Sequence, residues 1–365
     1  MESSAKRVLI YRVGSLGDMM VSVPCFHLIA RTFPNAERVL LTNLPLHAKA
    51  APAESVLGSS GLIQGCMRYA MKRGGIWRKL LAIRKFKPDV VVYLREIRPV
   101  KQVQRDAWFF RYMCGVRRIV GVPQDAETRQ KLNNNSGLYE SEAVRLAKKL
   151  HELGDAEPDR IENWDLVLSD AERAKAKEML GELCGKPLIA CGPGTKMQAK
   201  DWGQENWRAL LTKLSGALPG HGLVLVGARE DAAVSDFASA GWNGPVKNLC
   251  GNLAPRETAA TMEYARVFLG PDSGPMHLAA AVGLPCVIAF ASREYGGVWF
   301  PIGSRHRILY HEVECSLCRL VVCIENKRKC LTSITVDEML GATLSAISES
   351  GKHYVAHEAP DVSVI

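Results

Sequence analysis

Short apolar runs rich in β-branched residues alternate with segments of helical period along most of the chain. This is the pattern of an α/β fold with parallel sheets, whose strands are buried on both faces and read as continuous hydrophobic stretches. In the first half the runs fall at residues 7–11, 38–41, 89–94 and 118–121, with helical patterns between them. A second series begins at Pro187, where "PLIACGPG", "GLVLVG", "ARVFLGPD" and "LPCVIAF" each lead into a helix-like stretch or a turn. The polar stretch from Gln124 to about Leu183 separates the two. The restart predicts two doubly wound domains, 1–180 and 181–350. Apolar residues at Val336, Met339, Leu340, Leu344 and Ile347 predict a closing amphipathic helix that either packs on the second domain or crosses to the first. Residues 351–365 lack periodicity and predict a loosely held tail.

Composition adds limits. At 365 residues and 47% hydrophobic content the chain fills two cores. No run reaches the roughly 18 apolar residues of a membrane span, and "MESSAKR" lacks the apolar centre of an export signal, so the expectation is a cytoplasmic protein. Eleven cysteines without an export signal read as reduced thiols. Four of them, Cys315, Cys318, Cys323 and Cys330, are spaced C-x2-C-x4-C-x6-C. A metal site is conceivable there, but the gaps are not those of a zinc ribbon and Lys327, Arg328 and Lys329 add positive charge, so thiols in a surface hairpin are the favoured reading.

The net charge of +9 is concentrated: residues 61–120 carry fifteen Lys and Arg against Asp89, Glu96 and Asp106, a local +12. "IWRKLLAIRKFK" and "RDAWFFRYMCGVRR" interleave cations with aromatics. That suits an anionic saccharide or a membrane surface, whereas no nucleic-acid motif accompanies the charge and no nucleic-acid partner is expected. Arg78, Lys79, Arg84 and Lys85 are the cations expected to steer such a partner. A plain solvated helix face is the alternative.

Two turns carry candidate chemistry. In "VLIYRVGSLGDMMVSVP" an apolar run ends in a glycine turn, Gly14, Ser15 and Gly17, that flows into a helix, a layout suited to cradling phosphate. Yet Asp18 sits at that helix mouth and would repel one. In "VFLGPDSGPMHLAAAVGLPCVIAF" a strand leads to Asp272 and Ser273, and Gly274 and Pro275 open a helix. Ser273 is a natural N-cap, Pro275 fits the first turn, and Gly274 lets an anion approach the amides through Met276. His277 follows in the helix and reads as packing or capping rather than catalytic.

Three stretches together resemble glycosyltransferase family 9, the bacterial ADP-heptose:lipopolysaccharide heptosyltransferases: "YRVGSLGDMMVSVP" with "RTFPNA", "GPGTKMQAKDWGQENWRALL", and "GPDSGPMHLAAAVGLP". The likeness runs in order over about residues 6–335. It departs at Ser273, where the family usually has Thr, and at Gly194-Thr195, where a pair of hydroxyl residues can occur. The resemblance implies a GT-B fold, two Rossmann-like domains facing across a cleft, with the acceptor bound by the first and a nucleotide-sugar donor by the second. It also implies inversion at the anomeric carbon without a catalytic metal or other cofactor, with Asp18 as base. The glycine turn then need not hold phosphate, which answers why it carries a carboxylate. On the donor side the resemblance points to Lys200, Gly194, Thr195 and Ser273 with the amides of residues 274–276 for the diphosphate. It points to Asp272 for sugar hydroxyls, and to Glu230, or Asp231 beside it, for the ribose. Trp202 and Trp207 read as packing residues.

The leading expectation is therefore an enzyme moving a heptose-type sugar from an ADP-linked donor to a saccharide such as the lipopolysaccharide core, peripheral at the inner face of the inner membrane. A sugar-nucleotide epimerase of the same fold, or a non-catalytic nucleotide-sugar binder, are the alternatives.

Overall fold

The two series of apolar runs form two separate all-parallel sheets. The structure, a computed structural model, describes residues 5–44, 52–69, 75–123, 130–349 and 361–364. It divides into one unit of Met1–Leu132, Glu140–Pro158 and Glu162–Val167 and a second of Asn133–Tyr139, Asp159–Ile161 and Leu168–Ile365.

The first unit's strands are β1 (Arg7–Tyr11), β2 (Glu37–Asn43), β3 (Gly65–Tyr69), β4 (Val90–Tyr93) and β5 (Arg118–Val120), in the order β3-β2-β1-β4-β5. Four match the predicted runs. β3, "GCMRY", was not predicted: it lies at the sheet edge and is only half-buried, so it lacks the continuous apolar signal of a central strand. The helices are α1 (Leu16–Met20), α2 (Val23–Thr32), α3 (Gly75–Phe86), α4 (Val100–Trp108) and α5 (Glu142–Lys148). The single helix predicted after the glycine turn is broken, and α2 restarts with Pro24 in its first turn, where a missing N–H costs nothing. Beyond α4 the chain widens into one π-helical turn, Phe109–Met113, closed by Cys114 N–H donating to Phe109 O at 3.0 Å.

The second unit's strands are β6 (Leu188–Cys191), β7 (Gly222–Leu225), β8 (Val246–Asn248), β9 (Ala265–Pro271), β10 (Cys286–Phe290), β11 (Arg307–Tyr310) and β12 (Asp361–Val364), in the order β12-β11-β10-β9-β6-β7-β8. Its helices are α6 (Asp170–Leu180), α7 (Gln204–Ala217), α8 (Ala232–Ser239), α9 (Pro255–Met262), α10 (Gly274–Ala281), α11 (Lys329–Thr332) and α12 (Val336–Glu349). The division falls near residue 168 rather than the expected 180 because α6 packs on α9. Arg256 of α9 forks onto Glu172 at 2.5 and 2.9 Å, and Arg173 pairs with Glu263 at 2.9 Å. The closing helix α12 joins the second unit's own core through Met339 and Ala346. Of the tail expected to be loosely held, residues 351–360 and 365 lie outside the described residues, and β12 extends the sheet beside β11. No helix among the described residues is long and apolar enough to cross a membrane.

Each sheet has one point where the strand order reverses, between β1 and β4 in the first and between β6 and β9 in the second. Loops leaving the carboxyl ends of such strand pairs part in opposite directions and leave a crevice where ligands bind in open α/β sheets. Both predicted turns lie there.

Candidate active site

In the first unit the turn after β1 is built around one carboxylate. Asp18 Oδ2 accepts from the Ser15 N–H at 2.7 Å and from Ser15 Oγ at 2.8 Å, and the Arg12 guanidinium stands 3.7 Å from Oδ1. Gly14 makes this possible: its φ is +147°, and a Cβ there would lie 2.4 Å from Asp18 Cβ and Cγ. Beneath the turn, Arg12 is fully buried; Nε and Nη2 donate to Asp18 O at 3.1 and 2.8 Å, and Nη1 donates to Leu94 O at 3.0 Å beyond β4. Ser22 Oγ donates to the same Asp18 carbonyl at 2.7 Å. One guanidinium thus ties the base of the turn across the crevice, and Asp18, a quarter exposed, sits above it with one oxygen committed to the cap.

In the second unit the loops after β6 and β9 bring Lys200 and Asp272 together, Nζ to Oδ2 at 2.5 Å, with the carboxylate almost buried. Ser273 stands at the N-cap of α10 in extended conformation, but its hydroxyl makes no cap bond: Oγ is buried without a hydrogen-bond partner, contrary to the capping role expected. A buried hydroxyl left in this state is costly, and it lies beside the amides that open α10. Gly274 and Pro275 form that first turn as predicted; Met276 and His277 are buried in the helix. The turn bearing Lys200 is braced by the cysteine-bearing segment: Ala199 N–H donates to Val321 O at 3.1 Å, Cys323 N–H to Gln198 Oε1 at 2.7 Å, and Arg328 Nη1 to Asp201 Oδ2 at 2.9 Å. Its four cysteines are free, and among the described residues no group of His, Cys, Asp and Glu is placed to hold a metal ion.

Thr195 Oγ1 accepts from Met197 N–H at 3.4 Å within the loop after β6. Gly194 answers a packing need: a Cβ would lie 2.3 Å from Asp231 Cγ. Asp231 Oδ2 in turn accepts from Ala228 N–H at 2.8 Å, and burial pushes its pKa up. Of the two acids left open by the sequence, Asp231 is thus committed to its own turn and Glu230 is exposed. Trp202 and Trp207 are buried edge to face at 4.8 Å, as packing residues. His277 lies near His306, whose pKa burial pushes down to about 4; His306 Nδ1 accepts from Cys286 N–H at 3.1 Å and Nε2 donates to Ile302 O at 2.6 Å, so the ring is held neutral.

Sequence reading missed the buried cations beneath the first turn. Arg145 forks onto Glu142 at 2.5 and 2.6 Å, and Lys149 Nζ donates to Arg95 O at 2.7 Å. Burial, with Arg145 as like-charged neighbour, pushes the Lys149 pKa down to about 7. The one signal available was an arginine, Arg12, directly following the apolar run of residues 8–11 in β1.

Two Rossmann-like units, each with its charged loops at the reversal of strand order, define the GT-B class of fold. The chain belongs to glycosyltransferase family 9 (heptosyltransferase), whose family model matches residues 134–329, and it is accordingly a glycosyltransferase. Lipopolysaccharide heptosyltransferase 2 of Salmonella typhimurium is 23% identical over 94% of this chain and 99% of its own length. Lipopolysaccharide heptosyltransferase 3 of Escherichia coli is 28% identical over 30% of the chain, which spans 33% of that relative. The solved E. coli ADP-heptose lps heptosyltransferase II matches with a TM-score of 0.62 at 16% identity, over 94% of this chain and 99% of that one.

Proposed function

We propose that the chain transfers a heptose-type sugar from an ADP-linked donor to an anionic cell-envelope saccharide such as the lipopolysaccharide core, by a single inverting displacement with Asp18 as base. The observation that carries this reading is the second unit's turn: a Lys200–Asp272 pair and an unpartnered, buried Ser273 hydroxyl at the reversal of strand order. Such a turn is ready for a diphosphate. Phosphate oxygens would accept from Ser273 Oγ and the amides of residues 274–276, and Lys200 would turn from Asp272 toward the leaving group as its charge grows. Asp272 is then released to accept from sugar hydroxyls. Thr195 lies on the neighbouring loop for the same diphosphate, and exposed Glu230 is the candidate for the ribose.

In the first unit, Asp18 keeps one oxygen in the Ser15 cap and offers the other to the attacking hydroxyl. A sugar hydroxyl becomes acidic only as its oxygen bonds to the anomeric carbon, so proton transfer to the carboxylate comes late. Arg12 fixes the turn so that the carboxylate needs no reorganisation.

The test is ADP-heptose turnover and ADP binding in Asp18→Asn and Lys200→Gln. Asp18→Asn should abolish transfer while ADP binds as before, and Lys200→Gln should weaken ADP binding. Turnover by Asp18→Asn at the wild-type rate would remove the base assignment, and ADP binding that is unchanged by Lys200→Gln but lost in Asp18→Asn would reverse the assigned roles of the units.

A further inference from the structure

About half of the local excess of positive charge, seven of the fifteen Lys and Arg, falls on two neighbouring helices on one face of the first sheet. α3 and the α4–π segment both turn apolar residues inward, Leu80 and Ile83 from one and Val103 and Phe110 from the other, into a shared core with β1, β2 and β4. They are laced together by Arg84 Nε donating to Met113 O at 2.7 Å. Lys79 sits between them in an aromatic box, its Nζ 4.5 Å from the Phe109 ring centroid, 4.7 Å from Tyr69 and 5.5 Å from Tyr11. Lys79 and Arg84, two of the four cations expected to steer a partner, are therefore engaged within the unit.

The outward face is different. On α3 it presents Ile76, Trp77 and Leu81, exposed by 62, 65 and 64%, and on the α4–π segment Trp108 and Tyr112, exposed by 54 and 66%. Ordinary solvated helices do not gather large side chains in this way. Arg78 and Lys85 on α3 and Lys101, Arg105 and Arg111 on its neighbour stand exposed among them. The two helices contain one acid, Asp106, and it is turned inward to Tyr93 Oη at 3.0 Å and Arg98 Nη1 at 2.5 Å. The face is thus cationic and apolar at once, with tryptophan and tyrosine as its largest groups. Amphipathic aromatics with adjoining Lys and Arg suit the boundary between phosphate headgroups and acyl chains, where rings enter the interface and cations meet anionic phosphates. A protein partner of acidic surface would match the charge but would not call for isolated aromatics on two separate helices.

We propose that the outer face of α3 and the α4–π segment is a lipid-docking surface, seating the first unit on an anionic bilayer through Trp77, Leu81, Trp108 and Tyr112 with the surrounding cations. This rests on the proposed transfer to a membrane-anchored saccharide for its purpose, but it is tested without donor or acceptor. Co-sedimentation is measured with vesicles of phosphatidylcholine alone and of phosphatidylcholine containing one part in three of phosphatidylglycerol, at low and high salt. Wild-type protein should bind the anionic vesicles and lose affinity as salt rises. The variant R78Q/K85Q/R105Q/R111Q should bind them roughly a hundredfold or more weakly, from about fivefold per cation at a charged surface. W77S/L81S/W108S should bind weakly even at low salt, while I324S, which removes an apolar residue 75% exposed on the second unit, should bind as wild type. All these positions are exposed, and unchanged thermal unfolding confirms the fold.

Equal binding to both vesicle types, binding unaffected by the α3 and α4 variants, or no vesicle binding by the wild type would overturn the proposal. Self-association in solution that W77S/L81S/W108S abolishes, without vesicle binding, would assign the face to a second copy instead. Vesicle binding by a protein that transfers no heptose would leave this surface standing and bring down the transfer reading alone.

Discussion

Gly14→Ala isolates the demand that the first turn makes on its backbone. The added methyl would lie 2.4, 2.4 and 2.5 Å from Asp18 Cβ, Cγ and Oδ2, where ordinary contacts are about an ångström longer, at a φ of +147° that residues with side chains rarely adopt. Backbone strain of this kind costs about 1–3 kcal/mol. The clash can be relieved only by swinging Asp18 away, which breaks the two Ser15 bonds of 2.7 and 2.8 Å and forfeits roughly 1–2 kcal/mol of capping. A destabilisation of about 3–5 kcal/mol is expected, read from urea unfolding. The decisive comparison is a double-mutant cycle with Asp18→Gly, which deletes the three clashing atoms. In that background Gly14→Ala should retain only its backbone term, giving a coupling of at least about 1.5 kcal/mol. If Asp18 is the base, moving its carboxylate by an ångström should also lower turnover by roughly a hundredfold while ADP affinity stays constant. A coupling below about 0.5 kcal/mol would refute the packing argument. Wild-type turnover by Gly14→Ala would refute the claim that this geometry matters to the chemistry.

Stability should rise with pH through two separate windows. Lys149 titrates near 7 in the folded chain and near its ordinary 10.5 when unfolded, so between these values the unfolded state binds the extra proton and raising the pH favours folding; Lys149→Met should flatten this slope in thermal unfolding between pH 7 and 9. His306 is likewise held neutral with a pKa of about 4 against an ordinary 6.5, so stability should fall on acidification from pH 6.5 toward 4, and His306→Gln should lose that dependence. Arg12→Ala removes the guanidinium that ties the turn to Leu94, and should cost roughly 3–5 kcal/mol in urea unfolding. Arg328→Ala, by loosening the brace on Asp201 beside Lys200, should raise the donor KM more than it lowers kcat; an unchanged KM would remove the bracing role.

What the sequence made legible follows from where side chains are forced to be. Central parallel strands such as β1 and β4 are apolar on both faces and announce themselves, whereas β3 and β8 lie at sheet edges, half-buried, and are silent. The two glycine turns were visible because tight backbone leaves few residue choices, but the packing reason for Gly14 was not: it accommodates Asp18, a fact of side-chain packing that no spacing encodes. Ser273 was misread for a related reason. Its position and extended backbone permit an N-cap, yet the hydroxyl takes no cap bond and is left unpartnered, so a local rule failed at the place where a ligand is proposed. Lys79 and Arg78 are adjacent and alike on paper, but helical rotation sends one into an aromatic box and the other into solvent. The boundary near residue 168 depended on α6 finding α9, through Arg256 and Glu172, 84 residues apart. The two switch-point loops show the same economy from opposite directions: in the first unit Arg12 holds a carboxylate turn from below, and in the second Lys200 neutralises Asp272 from the side. In the second loop the Asp272 charge is met by Lys200, and the buried, unpartnered Ser273 hydroxyl with the amides opening α10 are the donors proposed for a diphosphate.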